Sequence, residues 1–190
     1  MRLRLIDAPA EKPVSLDEVR SYLRADDGDS DEAIGALLDA AIGRVDGRHG
    51  VLGRALCEQT WELLLDTFPA GDVTVPLPPL KEVVSITYLD AAGSTQTVPS
   101  ASYVIDAASE PGVISLKPGQ KWPATLAQRS AVAVRFKAGY GDAAAVPANL
   151  KAAIKLIAGD LYANREAQGG VLHENEGVSA LLVPYRIFAP

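Results

Sequence analysis

The chain has 190 residues, 48% of them hydrophobic and 22% charged, and carries a net charge of −6 from 18 basic and 24 acidic side chains. That is enough for one domain with a substantial core. The acidic balance argues against a general grip on nucleic acid, which needs a basic face to neutralise phosphate. The single cysteine, Cys57, excludes an intrachain disulfide.

The opening "MRLRLIDAPAEKP" is basic, with an apolar run too short for a signal peptide. No stretch approaches the roughly 20 apolar residues that span a bilayer. A soluble protein made inside the cell is the expectation. Residues 14–49 then read as a helical hairpin. "SLDE", Ser15 to Glu18, has the form of a capping box, in which hydroxyl and carboxylate each accept from a free backbone N–H. Leu16, Val19 and Leu23 mark one face of a short helix. After the polar break "ADDGDSDE", Ile34, Leu37, Leu38, Ala41, Ile42 and Val45 recur at helical spacing and form an apolar stripe. Asp29 and Glu32 can cap that second helix, and Gly47 and Gly50 end it.

Residues 55–140 change period. "QTWELLLDTF", "VTVPL", "VVSITYLD", "STQTVP", "SYVID", "GVISL" and "AVAVRFKAG" are short β-rich runs separated by turn clusters such as "PAGD", "DAAGS" and "SEPG". They predict six or seven strands in a mostly antiparallel, twisted sheet or small barrel, inserted into the helical part. Residues 147–166 return to helix, with Pro147 in the first turn, where its missing N–H costs nothing. Leu150, Ile154, Ile157 and Leu161 form its stripe. Packed against Ile34, Leu38, Ile42 and Val45, they make the expected helical core. The tail, residues 170–190, ends in "SALLVPYRIFAP", too apolar for a solvated tail. Two uses stay open for Leu181, Leu182, Val183, Tyr185, Arg186, Ile187 and Phe188. They can cover their own domain, or reach out and dock on a partner.

Chemical signatures are few. "GYGD", Gly139 to Asp142, lies before a helix as phosphate loops do, but lacks both glycine-rich nucleotide patterns and places an acid where phosphate would sit. Asp27, Asp29 and Asp31 alternate like the start of a calcium loop, yet the glycine and the bidentate glutamate are missing. "HENEG", His173 to Gly177, lacks a second histidine, and the chain has only His49 and His173. Cys57 reads as a buried thiol. No catalytic residue, cofactor site or metal site is assigned.

Several stretches carry a resemblance. "SLDEVRSYLRADDGDSDEAIGALLDAA", "QTWELLLDTFP", "PLPPLKEVVSITYLDAAGSTQTVPSASYVID", Trp122–Pro123, "VRFKAGYGDAAAVPANLKAAIKLIAGDLYANRE" and "LLVPYR" follow one another in order. Together they resemble the phage head–tail connector (adaptor) family, including prophage and gene-transfer-agent versions. The match is densest at Phe136, Gly139, Tyr140, Gly141, Pro147, Leu150, Ala153, Ile154, Tyr162, Asn164, Arg165 and Glu166. It runs over nearly the whole chain and rests on order and spacing rather than on any single motif.

The resemblance implies a structural, non-enzymatic protein of a virion or phage-like particle neck, made in the bacterial cytoplasm. It implies one α+β connector domain over residues 1–190, a small helical core with a β-rich antiparallel insertion and an extended C-terminal docking tail. It implies a ring, twelve copies by the portal's symmetry, that sits under the portal protein and meets the next neck or tail protein. DNA would pass through the lumen without specific binding, past a wall expected to be acidic. The tail residues 181–183 and 185–188 would clasp the portal or a neighbouring subunit. The alternatives are a small β-rich ligand- or peptide-binding accessory module, which needs an aromatic groove, and an enzyme using "GYGD", which needs a nucleotide or metal.

Overall fold

The computed structural model describes residues 2–25, 28–164 and 176–187. The chain divides into two compact units, Met1–Ala10 with Glu58–Tyr140, and Glu11–Cys57 with Gly141–Pro190. The class is α+β, as the sequence pattern predicts.

The first unit holds eight strands: β1 (Arg2–Asp7), β2 (Gln59–Leu65), β3 (Val73–Val75), β4 (Leu80–Leu89), β5 (Thr95–Thr97), β6 (Tyr103–Asp106), β7 (Gly112–Leu116) and β8 (Val132–Ala138). All seven predicted runs are strands, and every pairing between them is antiparallel. Two features differ from the sequence reading. The strands form two sheets, ordered β1-β2-β8-β4-β5 and β3-β7-β6. The N-terminal residues, left unassigned by pattern, supply the edge strand β1, so the sheet unit is more than the 55–140 insertion.

β8 lies at the middle of the larger sheet. Its alternate residues Val132, Val134, Phe136 and Ala138 are buried, while Ala133, Arg135 and Lys137 are only half-covered. Such strict alternation fixes register, because a slip of one residue would turn the whole apolar set outward. On the other face of that sheet Glu62 of β2 stands opposite Arg4 of β1 and Arg135 of β8. Its carboxylate, 5% exposed, is ion-paired to Arg4 and, at 3.0 Å, to Arg135. One buried acid with two cationic neighbours ties three strands together. Phe68, after β2, stacks on Trp122 at 4.6 Å and meets Tyr88 edge-on at 5.9 Å. The Trp122 indole N–H donates to the Gly71 carbonyl at 2.9 Å.

The second unit holds α1 (Leu16–Leu23), α2 (Asp31–Val45), α3 (Ala148–Ala163) and α4 (Glu176–Leu182). The capping box of α1 is formed: the Glu18 N–H donates to Ser15 Oγ at 3.1 Å, and the Ser15 N–H donates to Glu18 Oε2 at 2.8 Å. The cap of α2 is Ser30, whose hydroxyl accepts from the Ala33 N–H, and not the Asp29–Glu32 pair. Asp29 instead accepts from the Tyr162 hydroxyl of α3. Pro147 sits at the N-cap of α3, one residue before the first turn. Ile34, Leu38 and Val45 of α2 and Leu150, Ile154 and Ile157 of α3 are buried, and the two helices pack together. Ile42 and Leu161 are half-buried, so they border the core rather than fill it.

Full burial of one such side chain contributes about 1.5–3 kcal/mol. Ile154→Ala should therefore cost the helical unit about 2–5 kcal/mol, read from the shift in its denaturation curve; an unchanged midpoint would remove this stripe as its stability centre. Glu18 supplies a pH test. The Ser15 N–H holds its carboxyl below the ordinary glutamate value; burial opposes this, and Lys155 and Lys151 assist. A depressed value means stabilisation that is present above the unfolded-state pKa and lost as pH falls through the folded-state one. Glu18→Gln is thus expected to be less stable than the parent at neutral pH. The gap should close in acid, and a gap independent of pH would refute the charge-assisted cap.

Candidate docking surface

The C-terminal segment is helical where the sequence reading expected an extended tail. Residues 176–182 form α4, followed by a 3-10 turn at Val183–Tyr185, and α4 packs on α3. This splits the seven candidate docking residues. Leu182 is 4% exposed and belongs to the unit's own core. Leu181, Tyr185 and Ile187 are half-buried, whereas Val183, at 47%, and Arg186 are exposed. Phe188 lies outside the described residues. Covering its own domain and presenting a surface are therefore shared among neighbours in one short segment.

Arg54 anchors that segment. Its buried guanidinium donates through Nε to the Tyr185 carbonyl at 2.5 Å. Arg54 belongs to a tight loop that follows α2. The Gly47 N–H donates to the Arg54 carbonyl at 2.6 Å, and the Val51 N–H folds back to the Arg44 carbonyl at 2.8 Å. A Cβ on Gly50 would lie 2.3 Å from the Val45 carbonyl oxygen, so only glycine fits there. Asp46 caps the loop's exit, accepting from the Leu56 N–H at 2.7 Å. Arg44 at the end of α2 and Arg48, His49 and Val51 in the loop are exposed, while the last loop residues, Gly53 and Arg54, lie beside Ile187 and Tyr185. Sequence reasoning passed over these positions, although the stretch "GRVDGRHGVLGR" repeats a Gly-Arg pair three times in an acidic chain.

The other sequence candidates have structural uses. In "GYGD" the two glycines take φ values of 115° and 132°. The Asp142 carboxylate accepts from the Ala145 N–H at 2.9 Å, and Glu11 accepts from the Ala143 N–H at 2.6 Å. The N–H groups that a phosphate would need are thus held by the chain's own carboxylates. Of the calcium-like acids, Asp29 is bound by Tyr162 and Asp31 by Arg20 at 2.5 Å, while Asp27 lies outside the described residues. His173 lies outside them too. Among the described residues no group of three or more His, Cys, Asp or Glu is placed to hold a metal, and no helix is long and apolar enough to cross a membrane. Cys57 is buried, and its thiol is pushed up to about 11 by desolvation and then by the field of Asp46.

No protein-family model and no curated protein matches the chain. Solved structures do. A chain from the virion of a native gene transfer agent particle superposes with a TM-score of 0.81 at 26% identity, covering 100% of this chain and 97% of that one. A chain from the neck of an empty particle, solved with C6 symmetry, gives 0.80 at 28% identity over the same shares. One from the neck of a native particle, solved with C12 symmetry, gives 0.78 at 27% identity, again over 100% and 97%. The fold is shared with gene-transfer-agent neck structures from end to end. These neighbours support the resemblance to the head–tail connector family drawn from the sequence.

The anchor generates an expectation. Arg54→Met keeps an apolar stem and removes the donor to Tyr185. Limited proteolysis should then cut residues 183–187 several-fold faster, with the sheet unit untouched; an unchanged cutting rate would show that Arg54 does not hold the segment.

Proposed function

We propose that this chain is a structural connector of the neck of a tailed phage or gene-transfer-agent-like particle. In this reading, copies form a closed ring, twelve by the symmetry of the portal, that sits under the portal, continues the DNA channel and receives the next neck or tail protein. It needs no catalytic centre. The observation that carries it is the full-length fold match to neck structures solved with C12 and C6 symmetry. The split C-terminal segment fits a docking role in which Leu182 and Arg54 fix the base and Val183 and Arg186 face outward. The wall of the channel would be acidic, as suits a conduit that must not retain phosphate.

The decisive experiment deletes this chain from the element that encodes it and images the particles. DNA-filled heads without tails are expected, restored by the full chain and not by a chain lacking residues 178–190. Intact tailed particles from the deletion would overturn the connector reading.

A further inference from the structure

Two surface features of the chain complement each other. The first is an open groove of about 380 Å³ in the helical unit, lined by Tyr22 of α1 and by Ala148, Lys151, Ala152, Lys155 and Leu156 of α3. Tyr22 is 46% exposed, and its ring is set against α3 at Gly159, where an added Cβ would lie 3.5 Å from the ring. Lys155 is ion-paired to Glu18 at 3.5 Å, and among the described residues no carboxylate is in ion-pair reach of Lys151. With one acid for two lysines, this apolar groove keeps a positive charge.

The second feature is β6, the last strand of the smaller sheet, which has β7 on one side and, among the described residues, no strand on the other. Sheet edges are normally blunted by charge, proline or brevity. The edge strand β5 is short and wholly polar, Thr95–Thr97. β6 instead exposes two adjacent β-branched apolar residues, Val104 at 53% and Ile105 at 40%. Tyr103 is buried and Ile105 stands opposite the buried Ile114, so Val104 and Asp106 share the other side of the strand. The Asp106 carboxylate accepts from the Ala108 and Ser109 N–H groups at 3.0 and 3.1 Å and from the Ser109 hydroxyl. All three donors are neutral. They build the turn and leave the negative charge of Asp106 without a cation among the described residues.

We infer that β6 of one copy docks into the α1–α3 groove of a second copy, with Val104 entering the groove and Asp106 meeting Lys151. An exposed valine beside an uncompensated acid fits an apolar groove beside an uncompensated lysine, in both area and charge. A head-to-tail contact needs two different, complementary patches on one molecule, and it closes into a ring when its rotation divides a full turn. This chain carries both, the groove in the helical unit and the strand in the sheet unit. The inference rests on the ring reading and deepens it by naming the contact between neighbours. Each copy then gives one strand and receives one, so the contact sets polarity around the ring.

The test follows self-association of the full-length chain by sedimentation velocity at high protein concentration and low salt. Val104→Lys puts a cation against the basic groove and should weaken association about tenfold or more. Asp106→Asn keeps an acceptor for the turn and removes the charge. It and Lys151→Gln should each weaken association about two- to fivefold. A chain with both changes should be no weaker than either alone, because the two residues lose the same contact. Circular dichroism melts confirm that each variant folds; should Val104→Lys not fold, Val104→Ser replaces it, with a smaller loss expected. A second readout fixes the partners. Val104→Cys and Ala152→Cys chains, mixed and treated with a short bis-maleimide, should give a crosslinked pair that neither gives alone, since Cys57 is buried. Undiminished association of the folded variants would overturn the inference, as would crosslinking in the mixture no greater than in its parts. A parent that stays monomeric, in a protein whose deletion still removes tails from particles, would overturn this contact and leave the connector reading standing. Tailed particles from the deletion, with the crosslink present, would overturn the connector reading and leave the contact.

Discussion

The alternation of β8 is the constraint on which the sheet unit depends. Val132, Val134, Phe136 and Ala138 bury one side of a strand that is hydrogen-bonded to β2 on one flank and β4 on the other. A single register for β8 therefore sets the register of both neighbours, and β2 passes it to β1. β4 absorbs irregularities near Leu80–Glu82 and Val83–Ser85, where its pairing with β8 shifts. Bulges of this kind add twist without costing the central strand its alternation. The Arg4–Glu62–Arg135 cluster then locks the same three strands from the polar face. Its acid is buried and its bases are partly solvated, so desolvation falls mostly on the one group that has two partners.

The helical unit rests on a different economy. α1 is only eight residues long, too short to persist alone, and it depends on its cap and on packing against α2 and α3. α4, with seven residues, packs on α3, and the 3-10 turn that follows it is held by Arg54. The longer helices α2 and α3 bury their stripes and hold the shorter ones in place. Function in the connector reading follows from this order of dependence. In that reading the longer pair would supply the body, and the short, tertiary-dependent pieces would supply the surfaces offered to partners.

The legible parts of the sequence were those in which one residue pattern has one structural meaning. The Ser15–Glu18 box, the α2 and α3 stripes and the seven β-rich runs are local signals, and the structure contains each element. β1 was not legible, because "RLRLID" lies at a sheet edge with no fully buried position, and its alternation of Arg and Leu reads equally as a basic leader. The division into two sheets depends on which strands meet across the chain, a matter of long-range pairing that no single run encodes. The helical turn at Leu181–Tyr185 was hidden by three consecutive apolar residues, which erase the helical period that reveals α2. The proposed docking positions in the tail are half-legible. The apolar tail departs from the composition of a solvated segment, whereas arginines in a glycine-rich turn read as ordinary solvated charge.

Cys57 has a practical meaning beyond its part in packing. The only thiol in the chain is buried at the last residue of a helical-unit segment, bridged in β fashion to Gly141. A thiol held neutral and away from solvent is nearly inert to alkylating and oxidising agents. Its alkylation rate therefore measures how often the helical unit opens, with no contribution from a second thiol. The molecule carries its own single-site clock for native-state opening of the free chain.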